Sequence, residues 1–489
     1  MRTLHGARPS IAGPALALML ALALVLPSSL VAQAGAPAPA APRAVAIVDV
    51  TVVPMDRERA LEHQTVVVRG GRIARVDAAS AIPLGDDVER VDGRGKFLMP
   101  GLADMHVHTW SADDFPLFLA NGVTTVRNMF GAPVHLDWRR RVAEGELLGP
   151  TIVTAGPIVD GKPPVWPGSA VVESADQADA VVAEQKEAGY DFVKVYSKLT
   201  KPAYDAILAA AKKRGIPVDG HVPDAVGLDA AFASGQRSFE HLMLYGTASA
   251  STHAASATSP PFVLDLYAWS RFDPAKAADA AKRTAAAGVW SCPTLIVMER
   301  WVSPEAGAKF LEAPEMRYVS PFLRGFWTQL TGKRSSSSNP DLVDAVRRGD
   351  APRQKMTKAL RDAGARLILG TDTGNPYVVS GFAVHQELRL LVGAGLTPFE
   401  ALRAATAAPA EMLGTPAEFG TVAAGARADL VLLDANPLAD VANAKAIAGV
   451  MARGRWLPRA ELQATLDALA ERYAAASSAP ASAPSGGAK

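Results

Sequence analysis

The chain has 489 residues, 49% of them hydrophobic and 20% charged, the balance of a globular protein with enough length for one large domain and a smaller companion. Lysine plus arginine number 50 against 49 acidic residues, with no basic block, so nothing in the charge pattern suits a nucleic-acid partner. Cys292 is the single cysteine, which excludes an internal disulfide and a cysteine-rich zinc site and leaves nitrogen and oxygen as the only donors for a metal.

In chain order, the first feature is a targeting segment over residues 1–34. Arg2 and Arg8 precede an unbroken apolar run, Ala15 to Leu26, too short to span a bilayer comfortably, and Ala32-Gln33-Ala34 fits a small-x-small cleavage site. Export to a periplasm or the outside is expected, with no stable membrane anchor. Residues 35–43 are a Pro/Ala linker. Val45–Pro54, Gln64–Arg69 and Arg72–Val76 read as strands, with Gly70-Gly71 as a hairpin turn. The pattern returns in Ala428–Asp434, Ile447–Arg453 and Arg455–Leu457. Each β-rich piece is too short for its own core, so residues 44–97 and 410–458 are expected to form one small β-sandwich domain together.

Between them, over residues 98–409, strand and helix patterns alternate. The expected strands are Phe97–His108, Val123–Met129, Thr151–Ala155, Phe192–Tyr196, Pro217–Val222, Ser238–Leu242, Val289–Ile296 and Arg366–Asp372. The expected helices include Gln177–Ala188, Lys201–Arg214, Asp273–Ala287, Pro352–Ala363, Val384–Ala394 and Pro398–Ala407, the last with a capping box on Thr397 and Glu400. Eight such units define an α/β chain with a closed (β/α)8 TIM barrel; an open doubly wound sheet is the alternative, and no Gly-rich phosphate loop supports a nucleotide-binding version of it. Two connections, 243–288 and 297–364, are long. Trp269, Trp301, Trp327, Tyr267 and Tyr318 on them are expected as substrate-pocket walls, with a homo-oligomer contact as the other use, and Ser335–Ser338 reads as a loop tip. A C-terminal helix is expected over 459–476 and a disordered Ser/Ala/Pro/Gly tail over 477–489.

The chemistry sits at the strand ends. His106 and His108 alternate on one strand, so both imidazoles face one side and can meet one ion. Lys194, His221, His241 and Asp372 end later strands, where barrel enzymes place their catalytic groups. Four histidines and one carboxylate could fill two divalent sites with open positions for water; such donors suit zinc, then manganese, iron or cobalt. Lys194 could instead be salt-bridged to Asp191 or Asp219. Tyr196, two residues beyond it on the same face, is either a donor to a developing oxyanion or a packing residue. Arg127 is either a bidentate partner for a substrate carboxylate or part of a structural ion pair. His385 reads as structural, and His135 and His253 lack supporting context.

Taken in order, Pro100-Gly-Leu-Ala-Asp-Met-His-Val-His108, Gly122-Val-Thr-Thr-Val-Arg127, Lys194, His221, Phe239-Glu-His241, Gly370-Thr-Asp372 and Ala401-Leu-Arg-Ala-Ala-Thr406 resemble the amidohydrolase superfamily in its binuclear, lysine-bridged subtype. The likeness covers roughly residues 44–458 and is nearest to the secreted imidazolonepropionase-like and Xaa-Pro dipeptidase-like branch. It implies that His106, His108 and Asp372 hold the more buried metal, that His221 and His241 hold the second, and that Lys194 bridges them as a CO₂-derived carbamate. It further implies hydrolysis of an amide, peptide or N-acyl amino acid bond by a bridging hydroxide, with Asp372 as general acid and base. The superfamily's deaminases tend to carry a glutamate two or three residues after the strand-five histidine; Val222-Pro223-Asp224 follows here. A cyclic-amide ring opener and a non-catalytic metal-binding protein are the competing readings.

Overall fold

A computed structural model describes residues 44–252, 261–337 and 340–478. The targeting segment, the linker, His253 and the tail beyond residue 478 lie outside these residues, while Ser477 and Ser478, expected in the tail, close the helix Arg459–Ser478. No helix among the described residues is long and apolar enough to cross a membrane.

The β-rich domain joins both ends of the chain in one eight-stranded sheet. Its path runs Arg455–Pro458, Ile447–Ala452, Leu430–Leu433, Phe97–Pro100, Val45–Val52, Leu61–Arg69, Arg72–Ala78, with Glu89–Asp92 pairing beside Val45–Val52. The sheet rolls until Arg72 bridges Arg427, just before Leu430–Leu433. Alternation along each strand then turns Ile47, Val66, Val68, Ile73, Leu430, Leu432 and Met451 into one interior cluster. Burial of each such side chain contributes about 1.5–3 kcal/mol.

The strand expected over Phe97–His108 is two strands. Phe97–Pro100 pairs antiparallel with Leu430–Leu433 in the β-rich sheet, and after Gly101 the segment Leu102–Val107 becomes the first barrel strand, parallel to Val123–Asn128. The domain junction therefore lies at Gly101. Thr151–Thr154, Val193–Val195, Val218–Gly220, Ser238–Glu240, Trp290–Cys292 and Arg366–Leu367 follow as parallel neighbours. The third strand reaches the fourth through the Ala155–Phe192 bridge. The eighth continues past Leu367 and closes on the first: Met105 N–H donates to Leu369 O at 2.9 Å, Asp372 N–H to His106 O at 2.7 Å and His108 N–H to Thr373 O at 2.9 Å. The barrel is closed, and the open-sheet alternative falls.

The seventh strand is shorter than expected. After Cys292 the chain turns through a left-handed Thr294 (φ 46°) into the helix Leu295–Glu299. The Glu387 carboxyl group accepts the N–H groups of Leu295 (2.9 Å) and Ile296 (2.7 Å), which gives this apolar run a helix start in place of a strand. Both long connections hold helices beyond the expected Asp273–Ala287 and Pro352–Ala363, which appear as Pro274–Ala287 and Asp350–Asp362: Pro261–Ala268 joins the first, and Pro304–Leu311, Pro321–Ser337 and Pro340–Arg348 join the second. Ser335–Ser337 end a helix instead of tipping a loop.

Candidate active site

Strand geometry brings the six residues to one mouth. His106, His108, Lys194, His221, His241 and Asp372 all line the same cleft. Asp372 Oδ1 stands 3.4 Å from His106 Nε2 and 3.0 Å from His108 Nε2. Donor atoms bound at 2.0–2.1 Å to one tetrahedral ion stand roughly 3.3 Å apart, so these three side chains are spaced as ligands of a single ion. The His241 ring lies 4.5 Å from that of His106 and 4.9 Å from that of His221, centroid to centroid, which carries the cluster across to the fifth strand.

Three of the four imidazoles are steered by a partner on one nitrogen. His106 Nδ1 meets Glu240 Oε2 at 2.8 Å, His221 Nδ1 meets Ser197 Oγ at 2.9 Å, and His241 Nδ1 meets Thr294 Oγ1 at 2.8 Å. Such outer contacts fix ring orientation and tautomer for metal binding. Burial pulls His106 and His221 well below the usual imidazole range and His241 down to about 4, in each case helped by Lys194 and neighbouring imidazoles. Neutral imidazole is the form a metal takes. The Lys194 ammonium, 1% exposed, is likewise pushed down to about 8 by burial. His106 Nε2, His108 Nδ1, Lys194 Nζ and Asp372 Oδ1 have no hydrogen-bond partner despite being buried. Orphaned groups of these types, lining one cleft in which His106, His108 and Asp372 stand at ligand spacing, fit divalent ions; unfilled, they would cost stability.

Backbone strain places two of the six. His241 (φ 64°) and Asp372 (φ 59°) are left-handed, a conformation non-glycine residues avoid unless held. His241 N–H is tied to Cys292 O at 2.8 Å. The turn swings His241 toward the mouth although Glu240 already points inward to His106. Two glycines make the room. A Cβ on Gly220 (φ 133°) would stand 2.3 Å from Val195 O and 3.0 Å from Lys194 Cδ, and one on Gly370 would stand 2.5 Å from Cys292 Sγ and 2.7 Å from His106 Cβ.

Arg127 is not at the substrate. Its side chain is fully buried below the cluster, where Nε donates to Met105 O (2.6 Å), Nη1 to Asp219 (3.0 Å) and Ser238 (3.0 Å), and Nη2 to Glu240 (2.9 Å). Each of its three nitrogens is already bonded and none reaches the cleft, so the expectation that it binds a substrate carboxylate is corrected to a structural role. Burial raises the carboxyls of Asp219 and Glu240, but Arg237 and Arg127 for the first, and Arg127 and Lys194 for the second, hold both below their ordinary values. With Asp219 tied to Arg127 and Arg237, Lys194 has no salt bridge there, and Asp191 instead binds Arg139.

Tyr196 lines the cleft with its ring stacked on His221 at 3.8 Å, and its hydroxyl accepts from Trp166 Nε1 at 2.9 Å. Of the five aromatics expected as pocket walls, only Trp301 is among the described lining residues. Trp269 and Trp327 are buried in helix packing, Trp327 donating to Gly374 O at 3.0 Å, and Tyr318 stacks on Phe382. His135 and His385 make structural contacts to Thr109 O and Asn121 O. Glu240, Ser197, Thr294, Trp166 and Asp104, which accepts from Thr371 Oγ1 at 2.6 Å, were not singled out from the sequence. A signal existed for one of them: Asp104 precedes His106 by two residues on the same strand face.

A closed barrel with a β-rich companion and this cluster at its strand ends belongs to the class of barrel hydrolases. Residues 97–457 match the amidohydrolase family, and the chain belongs to that family of hydrolytic enzymes acting on C–N bonds. An adenine deaminase of Chelativorans sp. (strain BNC1) is 30% identical over 198 residues, covering 36% of this chain and 32% of the relative, so the likeness spans about a third of that protein's length. Among solved structures, a bottromycin amidohydrolase is 26% identical with a TM-score of 0.71 over 88% of this chain and 91% of its own. A Bifidobacterium longum protein provisionally assigned as a prolidase is 25% identical with a TM-score of 0.64, covering 88% and 100%. An Xaa-Pro dipeptidase with methionine in its active site, 19% identical with a TM-score of 0.62 over 85% and 100%, shares the fold.

Proposed function

We propose that this chain hydrolyses an amide C–N bond at a pair of divalent ions, zinc foremost, held at the barrel mouth. The observation that carries the reading is the convergence of buried, partnerless donor atoms on His106, His108, Lys194 and Asp372, with His221 and His241 beside them. His106, His108 and Asp372 would hold one ion, His221 and His241 the other, and Lys194, a buried amine of lowered pKa, would bridge them as its carbamate. Ions bound there supply Lewis acidity toward a carbonyl and a lowered pKa for water.

The protein's own groups do the rest. Asp372 Oδ1 faces His106 and His108, which leaves Oδ2, 3.8 Å from His241, as the atom to hold a proton from the attacking water and return it to the leaving nitrogen. Water adds to the carbonyl carbon, the C–N bond breaks, and the amine departs with that proton. Tyr196, oriented by Trp166, would face the developing oxyanion, and Glu240, Ser197 and Thr294 hold the imidazoles in place.

The prolidase and dipeptidase likenesses support a peptide-like substrate, while the position of Arg127 removes the cation expected to bind its carboxylate. The deaminase likeness is partial, and Asp224 is not among the described lining residues, which favours amide cleavage over deamination. The apolar start of the chain supports an exported enzyme. Plasma mass spectrometry of the purified protein is expected to find two ions per chain, and zinc- or manganese-loaded enzyme to cleave members of a panel of Xaa-Pro, Xaa-Arg and N-acyl amides. Absence of bound metal, or of any C–N cleavage, overturns the reading.

A further inference from the structure

We propose that the substrate is an uncharged amide that carries an aromatic or bulky apolar arm and has no free carboxylate next to the scissile bond. This rests on the amide-hydrolase reading and narrows it to a substrate class. The cleft holds about 230 Å³, room for a ring-bearing arm beside an amide. Trp110, Phe130, Trp166, Phe262, Trp301 and Phe326 line it from five connections around the mouth, the last two from the same one. Such walls favour an apolar arm through area burial and ring contacts.

The walls offer no cation to a carboxylate. Among the described lining residues there is no guanidinium, and the one ammonium, Lys194, is sunk on the floor among the imidazoles. Arg127 is spent on Asp219 and Glu240, and the Arg300 guanidinium lies 4.0 Å over the Phe310 ring and donates to Gln386. Asn375 donates to its neighbour's carbonyl, Asp372 O, at 3.1 Å. A carboxylate seated against these aromatic faces would lose its hydration without a cation to replace it. An ammonium would be drawn to ring faces but would stand beside a site that gathers cations.

Calorimetric titration of the chelator-stripped and the zinc-loaded protein tests this with four probes: N-acetyl-L-phenylalaninamide, N-acetyl-L-phenylalanine, L-phenylalaninamide and N-acetyl-L-alaninamide. The uncharged phenylalanine amide is expected to bind the stripped protein at least tenfold more tightly than the other three, and the zinc-loaded protein at least tenfold more tightly than the alanine amide. Equal or tighter binding of either charged probe to the stripped protein, equal binding of the alanine amide, or no binding of any probe overturns the proposal. Phe326→Arg places a guanidinium in the wall and is expected to bring the carboxylate probe to at least equal affinity; if that variant does not fold, the wild-type order decides alone. Turnover separates the two readings. Should the binding order hold while no amide is cleaved, the hydrolase reading fails and the pocket assignment stands; should N-acetyl-L-phenylalanine be the preferred substrate, the pocket assignment fails.

Discussion

Arg127 shows how much a single buried side chain can organise. Its guanidinium joins the first, fifth and sixth barrel strands through Met105 O, Asp219 and Glu240, and Glu240 in turn holds His106. Removing it leaves two buried carboxylates short of a cation, Asp219 retaining only Arg237. Arg127→Met is therefore expected to lower unfolding free energy by about 3–5 kcal/mol, read by denaturant titration. A substrate-binding arginine would behave in the opposite way, raising KM with stability unchanged. Asp372 is the complementary case. Asp372→Asn keeps an oxygen donor facing His106 and His108 but cannot cycle a proton, so metal content is expected to stay near wild type while kcat falls about 10²–10⁴-fold. Retained turnover in that variant would remove Asp372 from proton transfer.

At the level of elements, alternation made much of this chain legible before any coordinates. Lys201–Arg214 forms with the expected bounds, capped in the structure by Thr200 and Gly215, and the Thr397–Glu400 capping box forms as expected, with contacts of 3.1 and 2.8 Å. What alternation could not show is a residue placed by a turn rather than by a strand. Strict period two sets Glu240 and His241 on opposite faces, and only the left-handed turn at His241 brings both to the centre. The aromatic walls were misassigned for a related reason: a long connection folded into helices buries its own tryptophans, and pattern alone cannot say which one faces the cleft. The helix Leu295–Glu299, hidden within an apolar strand-like run, depends on Glu387, almost a hundred residues later in the chain. Burial pushes the Glu387 carboxyl up from 4.5 to about 8 despite its two N–H donors. The native chain thus keeps a proton that the unfolded chain releases, so this group makes stability fall as pH rises between 4.5 and about 8. Glu387→Gln is expected to flatten that slope in melts taken across the window, whatever it costs at neutral pH; an unchanged slope would place the titration elsewhere.

For the whole molecule, the cluster is a clasp on barrel closure. Its six residues come from the first, fourth, fifth, sixth and eighth strands, and the seam between the eighth and the first runs directly under it, where Asp372 N–H bonds His106 O. Both ends of the chain are committed to the same closure. The β-rich sheet hands the chain into the first strand at Gly101, Gly101 N–H donates to Asp429 O at 2.8 Å, and Leu466 and Leu469 of the C-terminal helix pack with Leu117 and Tyr318. Ions that bind only when these strands are assembled add to folding stability by mass action, about 2.7 kcal/mol at a free concentration one hundred times the dissociation constant. Stripping the metal with a chelator is accordingly expected to lower Tm, and titrating zinc back to raise it progressively with concentration. His106→Ala and His241→Ala should each blunt that rise, because each removes a donor and leaves the other strand's ligands unclasped. A melting temperature indifferent to chelation and to zinc, in a protein whose circular dichroism is unchanged, would mean that the strand ends close without ions and that the partnerless donors at the mouth are met in another way.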